Sequence, residues 1–390
     1  MKNNKYFLPI FLFFQILIIL GAFGLGYILA NNQTNLLESS ELPILNEALA
    51  ILRENGLYEI TEEMNLEYGM IRGMVQEYGD PFTAFVEPVQ NELQSDQLTG
   101  SYGGIGSMIE YREDGYYYLL PYPNSPAGNA GIQEHDRLIA VDDVLIEEFD
   151  DVSAIASAVR GETGSKVNIT VLKTPDYEIE ETYKIKRQEV PLPSLLAYQN
   201  DQYPDIGIIN IHIIASSTTD ELVTAIQDLK DKGVERFVID LRNNGGGLLD
   251  AGIELAELFL LKDQVVIHEK AKGEDVKIVT ANRNGKFSDL PIIFIVNENT
   301  ASAAEIFAGA IQANNRAILV GKQTYGKNTI QLVYNLSDDS SFRVTNANWW
   351  FPAIESFTRE FGLIPDVEFG DIDSMDTSIM TTAIEKLLEE

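Results

Sequence analysis

The apolar pattern is not uniform along the chain, and its first stretch differs from the rest. From Phe7 to Ala30 the sequence is apolar except for Gln15, and Lys2 and Lys5 are the only charged side chains before Glu38. As a helix this stretch spans about 36 Å, enough to cross a bilayer core with some tilt. The positive end then stays in the cytoplasm and the acidic remainder is exported. A cleavable signal peptide is the competing reading. Its apolar core is normally shorter, however, and Ile28-Leu29-Ala30 is a poor small-x-small cleavage site. The pattern therefore predicts a single-pass signal anchor at residues 7–30, with an extracytoplasmic working domain.

Beyond a polar tether, Asn31–Glu41, two helical patterns follow: Leu45-Ala48-Leu49-Leu52 and Met64 with Ile71-Met74-Val75. Gly79-Asp80-Pro81 stops the second. Between Tyr102 and Lys173 the texture changes to short β-type runs, Tyr116–Leu120, Arg137–Val141 and Val167–Leu172, broken by one helix near Val152–Arg160. From Ile206 onward strands alternate with helices: Ile206–Ile214, Thr219–Lys230, Phe237–Leu241, Leu248–Leu260, Ile292–Val296, Ala304–Asn314 and Ala317–Val320. Such alternation predicts an α/β layered core with parallel pairing. The last pattern, Ile379-Met380-Ala383-Ile384-Leu387-Leu388, is an amphipathic helix whose stripe must cover the core or a partner subunit in a homodimer.

Composition narrows the chemistry. The 390 residues contain no cysteine and three histidines, and carry a formal charge of −32. Disulfides, thiol nucleophiles and thiolate metal sites are excluded. His135, His212 and His268 are scattered, without the spacing of a multi-histidine metal site. The acidity argues against nucleic acid as a partner. Any catalysis must therefore rest on hydroxyls, carboxylates, lysines and arginines.

Three segments could carry it. Arg242-Asn243-Asn244-Gly245-Gly246-Gly247 follows a strand and opens a helix, so its backbone N–H groups can hold an anion; a tight turn needing positive φ is the plainer reading of the loop by itself. It is neither a phosphate loop nor a dinucleotide fingerprint, because no Gly-Lys-Ser/Thr follows and the glycines are contiguous. Asn299-Thr300-Ala301-Ser302-Ala303-Ala304-Glu305 places one serine among small residues at a helix start, as an N-cap or as a nucleophile beside oxyanion donors. In Thr324-Tyr325-Gly326-Lys327-Asn328-Thr329-Ile330-Gln331, an extended backbone puts Lys327, Thr329 and Gln331 on one face. Lys327 is a surface charge or, if desolvated, a neutral base that Gln331 orients without adding charge. No histidine lies nearby to activate Ser302, so serine chemistry here requires a lysine.

Taken together these segments resemble the carboxy-terminal processing peptidases, or tail-specific proteases, which are PDZ-containing Ser–Lys serine endopeptidases. The block from Ser302-Ala303-Ala304-Glu305-Ile306 through Asn315-Arg316-Ala317 to Thr324-Tyr325-Gly326-Lys327 and Gln331 has the family's spacing. The resemblance implies that Ser302 is the nucleophile, Lys327 the general base and Gln331 its positioning residue. It also implies oxyanion donors at Gly245 or Gly246 and at Ala303, and no metal or organic cofactor. Tyr102-Gly103-Gly104-Ile105-Gly106 looks like a PDZ carboxylate loop, and Arg160-Gly161-Glu162-Thr163-Gly164 like a later PDZ signature. Gly103, Gly104, Ile105, Gly106 and Arg160 are thereby candidates for binding a peptide tail as an added strand. Arg160 is either a sensor of the docked peptide or a solvated charge beside a turn. Gly79-Asp80-Pro81-Phe82-Thr83 and Gly362-Leu363-Ile364-Pro365-Asp366-Val367 resemble further family signatures.

The implied architecture is a multidomain α/β and α+β chain. Residues 1–35 form the anchor and tether, 36–95 a helical region and 96–176 the PDZ domain. Residues 177–372 form a crotonase-like, ββα-type peptidase core, and 373–390 the closing helix. Several positions depart from the family: Gly245 stands at a frequent proline and Asn328 at a frequent glycine, while His135 and Asp143 replace glycines in PDZ turns. The largest departure, Asn348-Trp349-Trp350-Phe351-Pro352-Ala353-Ile354-Glu355, falls where the substrate groove is shaped. The expected function is a membrane-anchored endopeptidase acting on exported proteins with free C-terminal tails. A catalytically inactive PDZ adaptor is the alternative.

Overall fold

The computed structural model describes residues 42–58, 60, 66–354, 361–369 and 377–389. The predicted anchor Phe7–Ala30 and tether Asn31–Glu41 lie outside these. Among the described residues no helix is long and apolar enough to cross a membrane. The chain divides into two units, Met1–Met70 and Ile71–Glu390. The first helical pattern forms Pro43–Asn55, with proline at its start and Gly56 closing its end. The second forms Leu66–Tyr78, and Gly79 stops it at φ 76°.

The β-rich module is an antiparallel sheet ordered Ser107–Tyr111, Tyr117–Pro121, Asp136–Val141, Lys166–Leu172 and Glu180–Lys186, with Val144–Leu145 beside Asp136–Val141. Alternation is plain in Lys166–Leu172, whose Val167, Ile169 and Val171 are buried against Leu119, Leu138 and Ile185. Helix Val152–Val159 closes the module and is capped by Asp151, whose carboxylate accepts from the N–H groups of Ser153 and Ala154. The sheet runs past the expected boundary at residue 176, because Glu180–Lys186 pairs along its whole length with Lys166–Leu172. That strand is mostly exposed and shows no apolar alternation, which hid it in the sequence. Of the two altered PDZ turns, His135 does take the left-handed conformation, at φ 70°. In the other turn it is Asp142, at φ 48°, and not Asp143.

The chain leaves and rejoins the remainder of the molecule through one antiparallel pair, Ser101–Gly104 with Gln188–Pro191. The core sheet is ordered Leu195–Gln199, Ile206–Ile211, Arg236–Asp240, Ile292–Val296, Leu319–Gly321 and Val367–Glu368. Its first pair is antiparallel and the rest parallel, as the alternation predicted. On one face Ile209, Phe237, Ile239 and Phe294 meet helices Thr218–Asp231, Leu249–Glu257 and Ala303–Ala313. On the other, Ile208, Val238, Ile293 and Ile295 are covered by Ile379, Ala383, Ile384 and Leu387 of the closing helix Thr377–Glu389. Ile379, Ala383, Ile384 and Leu387 of the amphipathic stripe thus lie on the chain's own sheet, while Leu388 is exposed.

A second sheet was not foreseen by the alternation. It comprises Ala84–Val86, Ser341–Trp350, Val265–Ala271 and Lys277–Thr280, with Thr329–Asn335 also paired to Ser341–Trp350. It brings Lys327 and Gln331 over the end of the parallel sheet. There the glycine-rich turn after Arg236–Asp240 and the serine turn after Ile292–Val296 lie side by side, since those two strands are hydrogen-bonded neighbours. Carboxyl ends of parallel strands are the usual place for a site in open α/β sheets.

Candidate active site

Ser302 stands at the N-cap of helix Ala303–Ala313 with φ 56° and ψ −121°. This region favours glycine, and a side chain held there costs on the order of 1–3 kcal/mol. Its hydroxyl makes no capping bond to the helix. Ser302 is thus the N-cap by position, in a strained turn whose N–H is bound by Glu305.

What fixes the turn is Glu305, a buried carboxylate one turn into the helix. It accepts the N–H of Ser302 at 2.8 Å, the Thr324 hydroxyl at 2.5 Å and the N–H groups of Gly326 and Lys327 at 2.7 and 2.9 Å. One carboxylate thus ties the serine turn to the lysine segment. Burial pushes its carboxyl above the ordinary range, while those four hydrogen bonds pull the other way. Thr324 is held in turn by the late signature, accepting the Leu363 N–H on its hydroxyl at 2.7 Å.

Ser302, Lys327 and Gln331 line one cleft of about 190 Å³, together with Ala303, Leu248, Ile306, Arg343 and Trp349. The Lys327 ammonium donates to Gln331 Oε1 at 2.8 Å and lies 5.1 Å from the centre of the Phe82 ring. Gln331 Nε2 donates to the Phe82 carbonyl, which fixes the amide's orientation. Burial, with the positive charge of Arg343 adding to it, holds Lys327 below the ordinary lysine range; Asp80 and Glu305 pull upward. Asp80 is pushed up by burial, but hydrogen bonds from Thr345, Thr83 and the backbone outweigh this and set it below its usual value. Asn328 does not sit at positive φ, whereas Gly326 does, at 88°, so asparagine at the frequent glycine position carries no backbone strain.

The glycine-rich turn is stitched to the serine turn. Asn243 and Asn297 exchange hydrogen bonds, and the Ala301 N–H donates to the Asn244 carbonyl at 2.9 Å. Gly246, at φ 99°, touches Ser302 so closely that a Cβ there would lie 2.8 Å from the serine Cβ. Its N–H, however, donates to Asn244 Oδ1 at 2.9 Å, so the expected oxyanion donor at Gly246 is already engaged. Gly245 is exposed and absent from the cleft lining, whereas Gly247 and Ala303 both line it.

The PDZ candidates are also redistributed. Gly103 and Gly104 do not form an open loop but lie in the strand paired with Gln188–Pro191. The reason is packing: a Cβ on Gly103 would meet the Gly161 carbonyl at 2.1 Å. Gly106 is the turning residue, at φ 68°, and its carbonyl accepts from Tyr122. A groove of about 240 Å³ runs between strand Ser107–Tyr111 and helix Val152–Val159, with Ile105, Tyr102 and Arg160 in its lining. Arg160 is not a free solvated charge: it donates to Asp96 at 2.7 Å and stacks 4.4 Å above the Tyr102 ring. Asp96 belongs to helix Pro88–Thr99, whose Leu93 lines this groove and whose Leu98 lines the catalytic cleft.

Residues 205–369 match the profile of peptidase family S41, and residues 118–173 match a PDZ domain. The carboxyl-terminal-processing protease of Picosynechococcus sp. is 31% identical over 329 residues, covering 81% of this chain and 76% of the relative. The chain belongs to the carboxyl-terminal-processing proteases of family S41. The carboxy-terminal processing protease CtpA of Bacillus subtilis is 30% identical over 329 residues, covering 84% of this chain and 69% of that protein. Among solved structures, the photosystem II D1 C-terminal processing protease is 26% identical with a TM-score of 0.46, covering 86% and 90% of the two chains. The protein is therefore an S41 serine endopeptidase carrying a PDZ domain. Within this protease, sequence reasoning placed no role on Glu305, Asn244 or Arg343. Glu305 was visible as the fourth residue of the Ser-Ala-Ala-Glu run, where it reads as a helix cap; Asn244 stood within the Arg242–Gly247 segment without a role of its own, and Arg343 carried no sequence signal.

Proposed function

We propose that the protein is a membrane-anchored endopeptidase that captures exported proteins by their C-terminal tails and cleaves them with a Ser302–Lys327–Gln331 site. The observation that carries the reading is one cleft holding a strained, uncapped serine and a desolvated lysine oriented by a glutamine. Neutral Lys327 takes the Ser302 proton as the hydroxyl attacks the scissile carbonyl, then returns it to the leaving amine. The acyl-enzyme on Ser302 is hydrolysed by water. The oxyanion rests on the Ala303 N–H with a second N–H from the glycine turn, for which Gly247 is the better placed candidate. The substrate tail adds as a strand in the groove beside Ser107–Tyr111, its carboxylate end near Ile105 and Arg160. Lys2 and Lys5 keep the amino end cytoplasmic, and residues 7–30 hold the catalytic domain at the outer surface.

The test uses the full chain in detergent with an unfolded protein substrate, comparing wild type with Ser302→Ala and Lys327→Ala. Both variants should lose cleavage by at least about 10³-fold while remaining folded. Cleavage by Ser302→Ala at the wild-type rate would sink the assignment. Protection of the catalytic domain from added protease in sealed inside-out vesicles checks the orientation, and digestion there would reverse it.

A further inference from the structure

Resting on the reading of Lys327 as the base, the cleft contains one more charge that the mechanism has not used. Arg343 lies on strand Ser341–Trp350, opposite Val333 and Ala84, and lines the same cleft as Ser302, Lys327 and Gln331. Its Nε is fully buried with no hydrogen-bond partner, and among the described residues it forms no ion pair. The two carboxylates that act on Lys327, Asp80 and Glu305, accept hydrogen bonds from other groups. Asp80 accepts both the N–H and the hydroxyl of Thr83, and Glu305 accepts four donors. A guanidinium stays charged at every working pH, and partial burial leaves its field poorly screened.

We propose that the unpaired guanidinium of Arg343 disfavours a second positive charge on Lys327 across the catalytic cleft, and so keeps the amine ready to take the Ser302 proton. The charged and polar groups that face Lys327 among the described residues come from several elements. Asp80, from the segment after helix Leu66–Tyr78, and Glu305, from helix Ala303–Ala313, favour the protonated amine. The Phe82 ring, 5.1 Å away, does the same through its π face. Gln331 Oε1 is a neutral acceptor. Among the described residues Arg343 is the cation opposing them, and it acts in the same direction as burial. Arg343 is thus a positioning residue of the electrostatic kind: it touches the base's protonation and not the reacting atoms. Without it, burial alone would oppose the two carboxylates and the aromatic face that favour the protonated amine.

The experiment compares the full chain in detergent with Arg343→Met, which keeps the stem and removes the charge, and Arg343→Lys, which keeps the charge. The pH dependence of kcat/KM is measured on a quenched peptide without titratable side chains. Labelling of Ser302 by a fluorophosphonate probe is followed over the same range. In Arg343→Met the acid-side midpoint should rise by about one pH unit in both assays. In Arg343→Lys it should stay close to wild type. An unmoved midpoint in Arg343→Met, or an equal rise in Arg343→Lys, overturns the proposal. So does a change confined to KM, which would make Arg343 a substrate contact. If Arg343→Met fails to fold, Arg343→Gln replaces it and is read by the same criteria. Activity surviving in Ser302→Ala would instead overturn the Ser–Lys reading itself, so the two failures are distinct.

Discussion

At the residue scale, Gln331 offers Lys327 a neutral partner. Its Oε1 accepts from Lys327 without carrying charge, and its Nε2 donates to the Phe82 carbonyl. In Gln331→Glu an ion pair would favour the ammonium, and the second oxygen would face a carbonyl instead of donating to it. We expect kcat/KM near neutral pH to fall by at least about tenfold and the acid-side midpoint of the pH profile to rise. A fall without any movement of that midpoint would show that Gln331 acts only by shape. Ser302 offers a second contrast, because its φ of 56° is strained for any side chain. Ser302→Gly and Ser302→Ala should be equally inactive, yet the glycine variant should be more stable by about 1 kcal/mol in urea unfolding. Equal stability would mean that the turn is not under strain. That Ser302, Lys327 and Gln331 share one cleft was legible, because their intervals and the scarcity of histidine point one way. Glu305 was not, since a carboxylate at that position of a helix reads as a cap until Thr324, Gly326 and Lys327 are seen to converge on it. Arg343 sits in a strand paired on both sides, Ser341–Trp350, whose alternation is not apolar, so a cation there carries no signal of its own.

At the element scale, the site depends on two strand-to-helix turns held in contact, and Gly246 is where they touch. A Cβ there would meet the Ala301 carbonyl at 2.7 Å and Ser302 Cβ at 2.8 Å, at a φ of 99°. Gly246→Ala must push the serine turn away, and small displacements of reacting groups are expensive in rate. Cleavage should fall by about 10²-fold while the far-ultraviolet circular dichroism is retained. Gly245→Ala, open on all sides, should keep most of the activity. Comparable losses in the two variants would show that the turn's contact with Ser302 is not what matters. The parallel strands and their helices were legible because both faces are buried and the periods are clean, as in Ile292–Val296, buried throughout. The second sheet was not: Thr329–Asn335 becomes exposed beyond Gln331, and a bulge between Ile330 and Gln331 breaks its alternation. Helix Pro88–Thr99 was missed for a related reason. It has no buried residue, so it carries no apolar stripe, and its place is set by polar anchors: Glu92 to Ser157 at 2.6 Å and Asp96 to Arg160 at 2.7 Å.

At the scale of the whole molecule, the closing helix decides whether the central sheet is finished by the chain itself. The sequence left its stripe open to the core or to a second subunit, because amphipathicity does not name the covering surface. The structure lays Ile379, Ala383, Ile384 and Leu387 on Ile206, Ile208, Val238, Ile293 and Ile295, with Leu387 1% and Leu388 41% exposed. Removing the Leu387 side chain therefore opens a cavity against one face of the parallel strands. The strands end at the serine and glycine turns, so loosening that face loosens the support of the site. Leu387→Ala should cost about 2–4 kcal/mol of unfolding free energy, while Leu388→Ala should stay within about 0.5 kcal/mol of wild type. Both differences should be independent of protein concentration, because the contact is within one chain. A Leu387→Ala loss that grows on dilution would instead assign the stripe to an interface between subunits. Denaturant unfolding of the full chain at two concentrations a hundredfold apart separates these outcomes. It also ties stability to catalysis, since the half-life of cleavage activity on warming should shorten in Leu387→Ala and not in Leu388→Ala.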